Sequence, residues 1–203
     1  MTHNTFSLTE LFSFGWAKTK QHAWFIFLTT LGFALIGGAT HFIPVLGTVI
    51  NLMVTLSVIS VSVLIAHNHK PTFESLYTPL LSARRVLTFI LLTFLYVLVV
   101  ILGLILFILP GIYLAVRLKF FPYVLLENPN AKLEDLISMS YSVTKGYFWK
   151  IVLFSIMLAL LNLCGAILLG IGLLVTIPIS LFATAHFYDK MKIVHTPKVA
   201  ALE

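Results

Sequence analysis

Residues 86–109 read VLTFILLTFLYVLVVILGLILFIL, an apolar run that contains no charged side chain. A helix needs about 20 such residues to cross the hydrocarbon core of a bilayer, so this segment is long enough to span a membrane. The whole chain of 203 residues has the same character, with 60% hydrophobic residues, 10% charged residues and a mean hydropathy of +1.04. So few charged side chains cannot cover the surface of a water-soluble domain. The sequence therefore predicts an integral membrane protein and excludes an ordinary soluble enzyme.

Six apolar runs are long enough to be drawn as spanning helices. They are residues 23–41, 48–66, 86–109, 112–126, 149–169 and 171–188. Because lipid offers no hydrogen bonds to unpaired backbone, each run is expected to be helical. The runs pair through short connections, which are residues 42–47, the dipeptide Pro110-Gly111 and Gly170, and three helical hairpins are predicted. Pro122 lies inside the fourth run, where a kink is expected. The predicted fold class is an all-α polytopic transmembrane helical bundle.

Lysine and arginine are distributed unequally between the two ends of these hairpins. The three hairpin tips carry none, and all but two of the 13 basic residues lie in the N-terminal segment, the connectors between hairpins and the C-terminal tail. Cytoplasmic loops of membrane proteins carry an excess of Lys and Arg. Both termini are therefore predicted to be cytoplasmic, which accounts for the net charge of +6. No basic and aromatic stripe on a soluble face suggests a nucleic-acid partner.

The polar segments before the hairpins resemble one another. Residues 8–12, 73–77 and 133–137 share a pattern of apolar and acidic positions at offsets of 65 and 60 residues. A basic residue recurs in register just before the first span of each hairpin: Lys20, Arg85 and Lys145. A tryptophan recurs in register in the first and third repeats, as Trp24 and Trp149. We predict one domain, 1–203, with three repeats of an amphipathic helix followed by a transmembrane hairpin. The approximate repeats are residues 7–70, 72–128 and 130–192.

Apolar residues in each polar segment recur at the spacing of one stripe along a helix. The first segment opens with Ser7 and Glu10, a capping box that predicts a helix start. Such helices suit the cytoplasmic headgroup layer, with the stripe in lipid and the basic residue on anionic headgroups. Two interpretations stay open: the helices only anchor the hairpins, or they form a surface that binds lipid or a partner. The residues assigned to this interface are Lys20, Arg85, Lys145, Trp24 and Trp149.

Arg117 and Lys119 are the two basic residues inside a predicted span, the fourth. Charges at the centre of a membrane helix cost about 2.5–3.5 kcal/mol each on insertion scales, and they commonly mark a polar pathway or a paired site. Alternatively, both side chains extend along their aliphatic stems to the nearer headgroups. No acidic residue lies in the apolar part of another span. An ion pair with either residue would therefore need Glu127 or Asp189 from the cytoplasmic ends.

No catalytic, cofactor or metal site is predicted. His67 and His69, with His3 and His22, could gather on the cytoplasmic side, but their spacing is not specific for zinc. Cys164 is the one cysteine, and its apolar neighbours are typical of a small buried residue. The sequence contains no nucleophile elbow, zinc-protease helix or phosphate-binding loop. The chain is therefore not expected to be an enzyme.

Two short stretches and the segment after them resemble a known family. Residues 109–113 read LPGIY, residues 121–125 read FPYVL, and residues 136–150 form a serine-rich segment that leads into another span. This pattern resembles the YciC-like family of polytopic bacterial inner-membrane proteins and, more distantly, the membrane domain of some glycerophosphodiester phosphodiesterases. The resemblance implies a multi-span fold in the bacterial inner membrane. It implies no activity, because many members have none assigned and these 203 residues contain no phosphodiesterase domain. Arg117 and Lys119 lie outside the shared Pro-Gly-Ile core.

The leading hypothesis is a non-enzymatic membrane protein that binds or organises lipid, or assists a membrane partner, through its cytoplasmic amphipathic helices. Lys20, Arg85 and Lys145 would then contact the headgroups of anionic membrane lipids. The alternative hypothesis is a small transporter or channel for an anion or amphiphile whose path includes Arg117 and Lys119. The sequence leaves open whether a second copy or another membrane protein is a partner, and it suggests no cofactor.

Overall fold

A computed structural model describes residues 7–40, 43–106, 108–167 and 171–195. These residues form α-helices joined by short turns, and they contain no β-strand. The helices are α1 (Leu8–Gln21), α2 (Ala23–Thr40), α3 (Pro44–Ala66), α4 (Glu74–Tyr77), α5 (Ala83–Leu106), α6 (Ile108–Leu118), α7 (Phe121–Glu127), α8 (Leu133–Val143), α9 (Phe148–Ile167) and α10 (Leu173–His195). A single 3-10 turn, Thr78–Leu80, follows α4.

Five segments of the described chain are long and apolar enough to cross a membrane. They are Ala23–Thr40, Leu46–Ala66, Ala83–Ile105, Leu109–Glu127 and Phe148–Ile167. Large apolar side chains point outward from them, for example Leu35, Ile105 and Leu109, which are 67%, 75% and 82% exposed. This surface suits lipid and not water. The sixth predicted span, 171–188, lies largely in α10, which is not among the five and continues into Asp189, Lys190 and Lys192.

The described part of the second hairpin differs from the sequence prediction at Pro110 and Gly111. Pro110 and Gly111 were expected to form the turn, but α6 already begins at Ile108 and contains both residues. A proline is tolerated in the first helical turn because its missing N–H would have no partner there. Gly111 instead allows α6 to approach α5, since a Cβ on Gly103 would lie 2.7 Å from the Gly111 Cα. Of the other two predicted connections, Pro44 already begins α3, whereas Gly170 lies outside the described residues.

The fourth predicted span is not one continuous helix. α6 ends at Leu118, Lys119 and Phe120 form a turn, and α7 begins at Phe121. Pro122 explains the break, because a proline in the first turn of α7 cannot donate the hydrogen bond that would continue α6. The sequence predicts a kink at Pro122, and the structure has a break between α6 and α7 there.

The first and third polar segments bury their apolar stripes against protein. In α1 the Ser7 Oγ accepts a hydrogen bond from the Glu10 N–H at 3.1 Å, as the capping box predicts. Leu11 of α1 is fully buried, and a Cβ on Gly15 would lie 2.6 Å from the Ile179 carbonyl oxygen of α10. Leu136 of α8 is also fully buried. The expectation that these two stripes lie in lipid is therefore wrong, since packing on neighbouring helices removes them from the surface.

The second polar segment differs from the other two. It forms only the short helix α4 and a 3-10 turn, because Pro79 interrupts the helical hydrogen bonds. Phe73, Tyr77 and Leu81 are 63%, 52% and 75% exposed. Three large side chains of this segment therefore stay on the surface.

Helices of successive pairs contact each other in a regular order. α1 and α2 pack against α10, α4 and α5 pack against α3, and α8 and α9 pack against α6. The second and third polar segments, each with the long helix after it, therefore contact the second helix of the preceding pair. The first polar segment and α2 contact the second helix of the last pair, which closes the series of contacts. Between them, α3 contacts both α7 and α10. The ring centres of Phe120, before α7, and Phe187 of α10 are 6.0 Å apart in this buried centre.

Candidate functional site

The first predicted interface pair, Lys20 and Trp24, is on the surface where α1 ends and α2 begins. Both side chains are exposed, and Trp24 is 73% exposed. The Lys20 Nζ lies 4.9 Å from the ring centre of Trp16, whereas the Trp24 ring stacks on Phe27. The aromatic neighbour of the Lys20 ammonium is therefore Trp16, one helical turn earlier, and not Trp24. A large aromatic side chain beside an exposed cation is typical of a membrane interface.

The third predicted pair has the same arrangement between α8 and α9. Lys145 is exposed in the turn after α8, and Trp149 is 77% exposed near the start of α9. The Trp149 ring meets Phe148 edge to face, with ring centres 5.4 Å apart.

Arg85, the basic residue of the second predicted repeat, is less exposed than Lys20 and Lys145. It is the third residue of α5 and half-buried, and its Nε is buried without a hydrogen-bond partner. The position that corresponds to Trp24 is Phe89, which is buried. The three predicted headgroup residues therefore lie at three separate helix junctions, and two of these carry an exposed tryptophan.

Arg117 is buried among aromatic side chains of α6 and α8. It is only 9% exposed, and its guanidinium Cζ lies 5.0 Å from the ring centre of Tyr113 and 4.7 Å from that of Tyr141. The two tyrosine hydroxyls are hydrogen-bonded to each other at 2.8 Å. The Nε and Nη1 atoms of Arg117 have no hydrogen-bond partner. The guanidinium therefore packs against aromatic rings of the protein, and whether it also lies near lipid headgroups stays a prediction.

Hydrogen bonds to the backbone fix the helix that carries Tyr141. The Ser140 hydroxyl of α8 donates to the Arg117 carbonyl oxygen at 3.2 Å, and the Thr144 Oγ1 lies at the same distance from that oxygen. Both hydroxyls belong to fully buried residues, so α8 is held on α6 at this point.

Lys119 has different neighbours from Arg117. Its Nζ donates a hydrogen bond to the Ser155 Oγ of α9 at 2.6 Å and lies 5.8 Å from the ring centre of Phe154. Arg117 contacts α8, whereas Lys119 contacts α9. The two predicted intramembrane cations are therefore close in sequence, but they do not share a partner among the described residues.

The acidic residues considered as partners for these cations are used elsewhere. Glu127 accepts hydrogen bonds from the Tyr188 hydroxyl at 2.7 Å and from the Lys192 Nζ at 2.9 Å. Asp189 lies 3.2 Å from the Nε2 of His67, and burial raises the pKa of its carboxyl group while His67 opposes that shift. Glu127, Asp189 and His67 line a cavity of about 350 Å³ at the ends of α3, α7 and α10, and Lys192 also lies on its wall.

Histidine and cysteine do not form a metal centre in the described part of the chain, where no cluster of three or more His, Cys, Asp or Glu residues is placed to hold an ion. His3 lies outside the described residues. Cys164 was expected to be buried but is exposed. It lies on α9 near Leu160, Leu163 and Ile167, which are also exposed, so this side of the helix faces outward.

Sequence patterns identify only part of this arrangement. Tyr113 precedes Arg117 by four residues, the spacing that brings two side chains together on one helix face, so it could have been found. Tyr141 and Ser155 could not, because their contacts depend on how α8 and α9 pack on α6. No family model, curated protein or solved structure matches the chain.

Proposed function

We propose that this chain is a non-enzymatic protein of the bacterial inner membrane that binds and organises anionic lipid, with both termini in the cytoplasm. The observation that carries the proposal is the exposure of Trp24 and Trp149, each four residues after an exposed lysine of the register. Tryptophan prefers the level of the headgroups, and lysine there attracts anionic lipid.

The positions of the basic residues support a common cytoplasmic surface. Lys20, Arg85 and Lys145 each lie at the junction between a polar segment and a long apolar helix. Each basic residue near an anionic membrane surface contributes about 1 kcal/mol of attraction. Three of them together make a preference for anionic over zwitterionic lipid that is large enough to measure.

The packing order of the helices supports a six-span bundle of three repeats. α1 contacts α10, α4 contacts α3, and α8 contacts α6, so each polar segment has the same kind of neighbour. In this architecture α10 is the sixth span. The resemblance to YciC-like inner-membrane proteins agrees with it and stays a prediction.

Lipid contact in this proposal comes from individual side chains and not from three inserted helices. The stripes of α1 and α8 are buried, so their contribution is to hold Lys20 and Lys145 at the surface. The second polar segment adds apolar contact through Phe73, Tyr77 and Leu81, which are exposed. The alternative transport function needs one path along Arg117 and Lys119, and their separate neighbours on α8 and α9 do not favour it.

The proposal is tested by replacing Lys20, Arg85 and Lys145 together with glutamine. The wild-type chain and the variant are purified from the same membranes in mild detergent, and the phospholipids that stay bound are extracted and counted per protein molecule. We expect the variant to retain less anionic lipid, because the three headgroup contacts are lost.

A matched control removes the same charge elsewhere on the predicted cytoplasmic side. Lys70, Arg84 and Lys132 are exposed and lie outside the register, so their joint replacement with glutamine should lower lipid retention less than the register variant does. Equal retention by both triple variants would contradict the proposal, because net charge alone would then explain the binding.

A further inference from the structure

The side chain of Arg117 lacks the acceptors that a buried guanidinium normally has. It is 9% exposed, and neither Nε nor Nη1 has a hydrogen-bond partner. Buried charges are usually paired, because an unpaired one is costly to remove from water. No carboxylate of the described residues forms an ion pair with it. The Nε and Nη1 donors of this buried guanidinium are therefore unused by the described residues.

The tyrosines beside Arg117 favour the cation without replacing that anion. The rings of Tyr113 and Tyr141 attract the positive charge through their faces. Their hydroxyls are hydrogen-bonded to each other, and neither oxygen accepts a hydrogen bond from Nε or Nη1. Tyr141 is 40% exposed, so the ring beside the guanidinium also reaches the protein surface.

An apolar cavity of about 250 Å³ adjoins the same tyrosine. Its walls come from α5, α6, α7 and α8, and Tyr141 belongs both to the cavity and to the Arg117 site. Its lining is almost entirely apolar and includes Val99 of α5 and Leu114 and Leu118 of α6. Apolar cavities of this kind bind hydrocarbon and exclude water.

A buried cation beside an apolar cavity fits a molecule that carries one anionic group and a hydrocarbon chain. Arginine binds phosphate through several N–H donors at once, and these charge-assisted hydrogen bonds are strong. The cavity walls include α5 and the α6–α7 segment, which are long and apolar enough to cross a membrane, where phospholipid is the abundant molecule of this chemistry.

We propose that Arg117 and the adjoining cavity bind one anionic phospholipid of the surrounding membrane, with its phosphate on the guanidinium and one acyl chain along Leu114 and Leu118. This site is separate from Lys20, Arg85 and Lys145, which lie at other helix junctions. It holds one lipid molecule in a defined position, whereas the register residues attract anionic headgroups in general.

The test is native mass spectrometry of the full chain in detergent, titrated with palmitoyl-oleoyl phosphatidylglycerol. The wild type should take up one molecule with higher affinity than the rest. Arg117→Gln should weaken this first binding step by at least about tenfold, because hydrogen bonds to a charged group are lost. Lys119→Gln is the matched control, since it removes a nearby cation whose ammonium group donates to Ser155 and is not beside Tyr141.

A second variant tests the cavity without changing the charge. Val99 lines the cavity, so Val99→Phe fills part of the space that the acyl chain needs. It should also lose the first phosphatidylglycerol, and it provides the test if Arg117→Gln does not fold. The triple glutamine variant of Lys20, Arg85 and Lys145 should keep this one molecule while it loses others, which separates the failure of this site from the failure of the proposed function.

Three results would overturn the assignment. Unchanged first-step affinity in Arg117→Gln or Val99→Phe would show that the site is not used. Palmitate that binds in place of phosphatidylglycerol would show that the ligand is a free fatty acid and not a membrane phospholipid. Inorganic phosphate that competes as well as the lipid would show that the cavity contributes nothing.

Discussion

Replacing Gly15 with alanine should weaken the contact between α1 and α10. A Cβ at this position would lie 2.6 Å from the Ile179 carbonyl oxygen and 3.4 Å from the Cβ of Ala183. The nearest atom belongs to the backbone of a long helix, so it cannot move aside as a flexible side chain could. One of the two helices must therefore shift, and α1 should separate from α10.

The magnitude follows from two opposing effects. Overpacking in a close-packed region costs about 1–3 kcal/mol, and a clash with backbone belongs at the upper end of that range. Alanine in place of glycine in a helix returns about 1 kcal/mol. The net loss should be about 2 kcal/mol, which for a chain of this length corresponds to a fall in melting temperature of about 4–8 °C.

The assay is thermal unfolding of the full chain in detergent, combined with hydrogen–deuterium exchange of residues 8–21. Gly32 is the matched control, because it is also in a helix and a Cβ there would meet nothing within 4 Å. Gly32→Ala should therefore be neutral or slightly stabilising. If Gly15→Ala melts at the same temperature as the wild type and the amides of α1 exchange no faster, then α1 does not depend on its contact with α10. The sequence prediction that α1 lies in the headgroup layer would then be favoured again.

Two further predictions concern other helix contacts. The Glu10 carboxylate lies 2.7 Å from the Lys190 Nζ, and this contact lowers the pKa of Glu10 below its usual 4.5. A lowered pKa in the folded state means that the stabilisation is present above pH 4.5 and is lost as the pH falls through the folded-state pKa. The difference in melting temperature between wild type and Glu10→Gln should therefore disappear in acid, and a constant difference from neutral pH into strong acid would contradict the ion pair. Gly103→Ala should lower stability by about 1–3 kcal/mol, because its Cβ would lie 2.7 Å from the Gly111 Cα. The control Gly38→Ala should not lower it, because a Cβ there would meet nothing within 4 Å. Equal melting temperatures for the two variants would refute the close approach of α5 and α6.

Local patterns were enough to predict the helical membrane class and many helix positions. Apolar length predicted α2 and α9 to within a few residues, and the Ser7 cap was predicted from spacing alone. These features depend on residues close together in the chain. The sequence also indicated that Arg117 is unusual, because a charge inside an apolar run stands out without any knowledge of its neighbours.

Features that depend on tertiary packing could not be predicted in the same way. The stripe of α1 is equally suited to lipid or to another helix, and only its contact with α10 decides between them. Pro110-Gly111 has the composition of a turn, yet Gly103 opposite Gly111 makes it a helix contact. The tyrosine on α8 reaches Arg117 across 24 residues of sequence, and no periodicity indicates such a distance.

The most direct test of the lipid-binding account is native mass spectrometry of the wild-type chain released gently from its own membrane, without added lipid. The account predicts a chain that carries anionic phospholipid at a fixed stoichiometry and loses most of it when Lys20, Arg85 and Lys145 are replaced with glutamine. A chain that emerges bare, or that carries lipids in proportion to their abundance in the membrane, would contradict it.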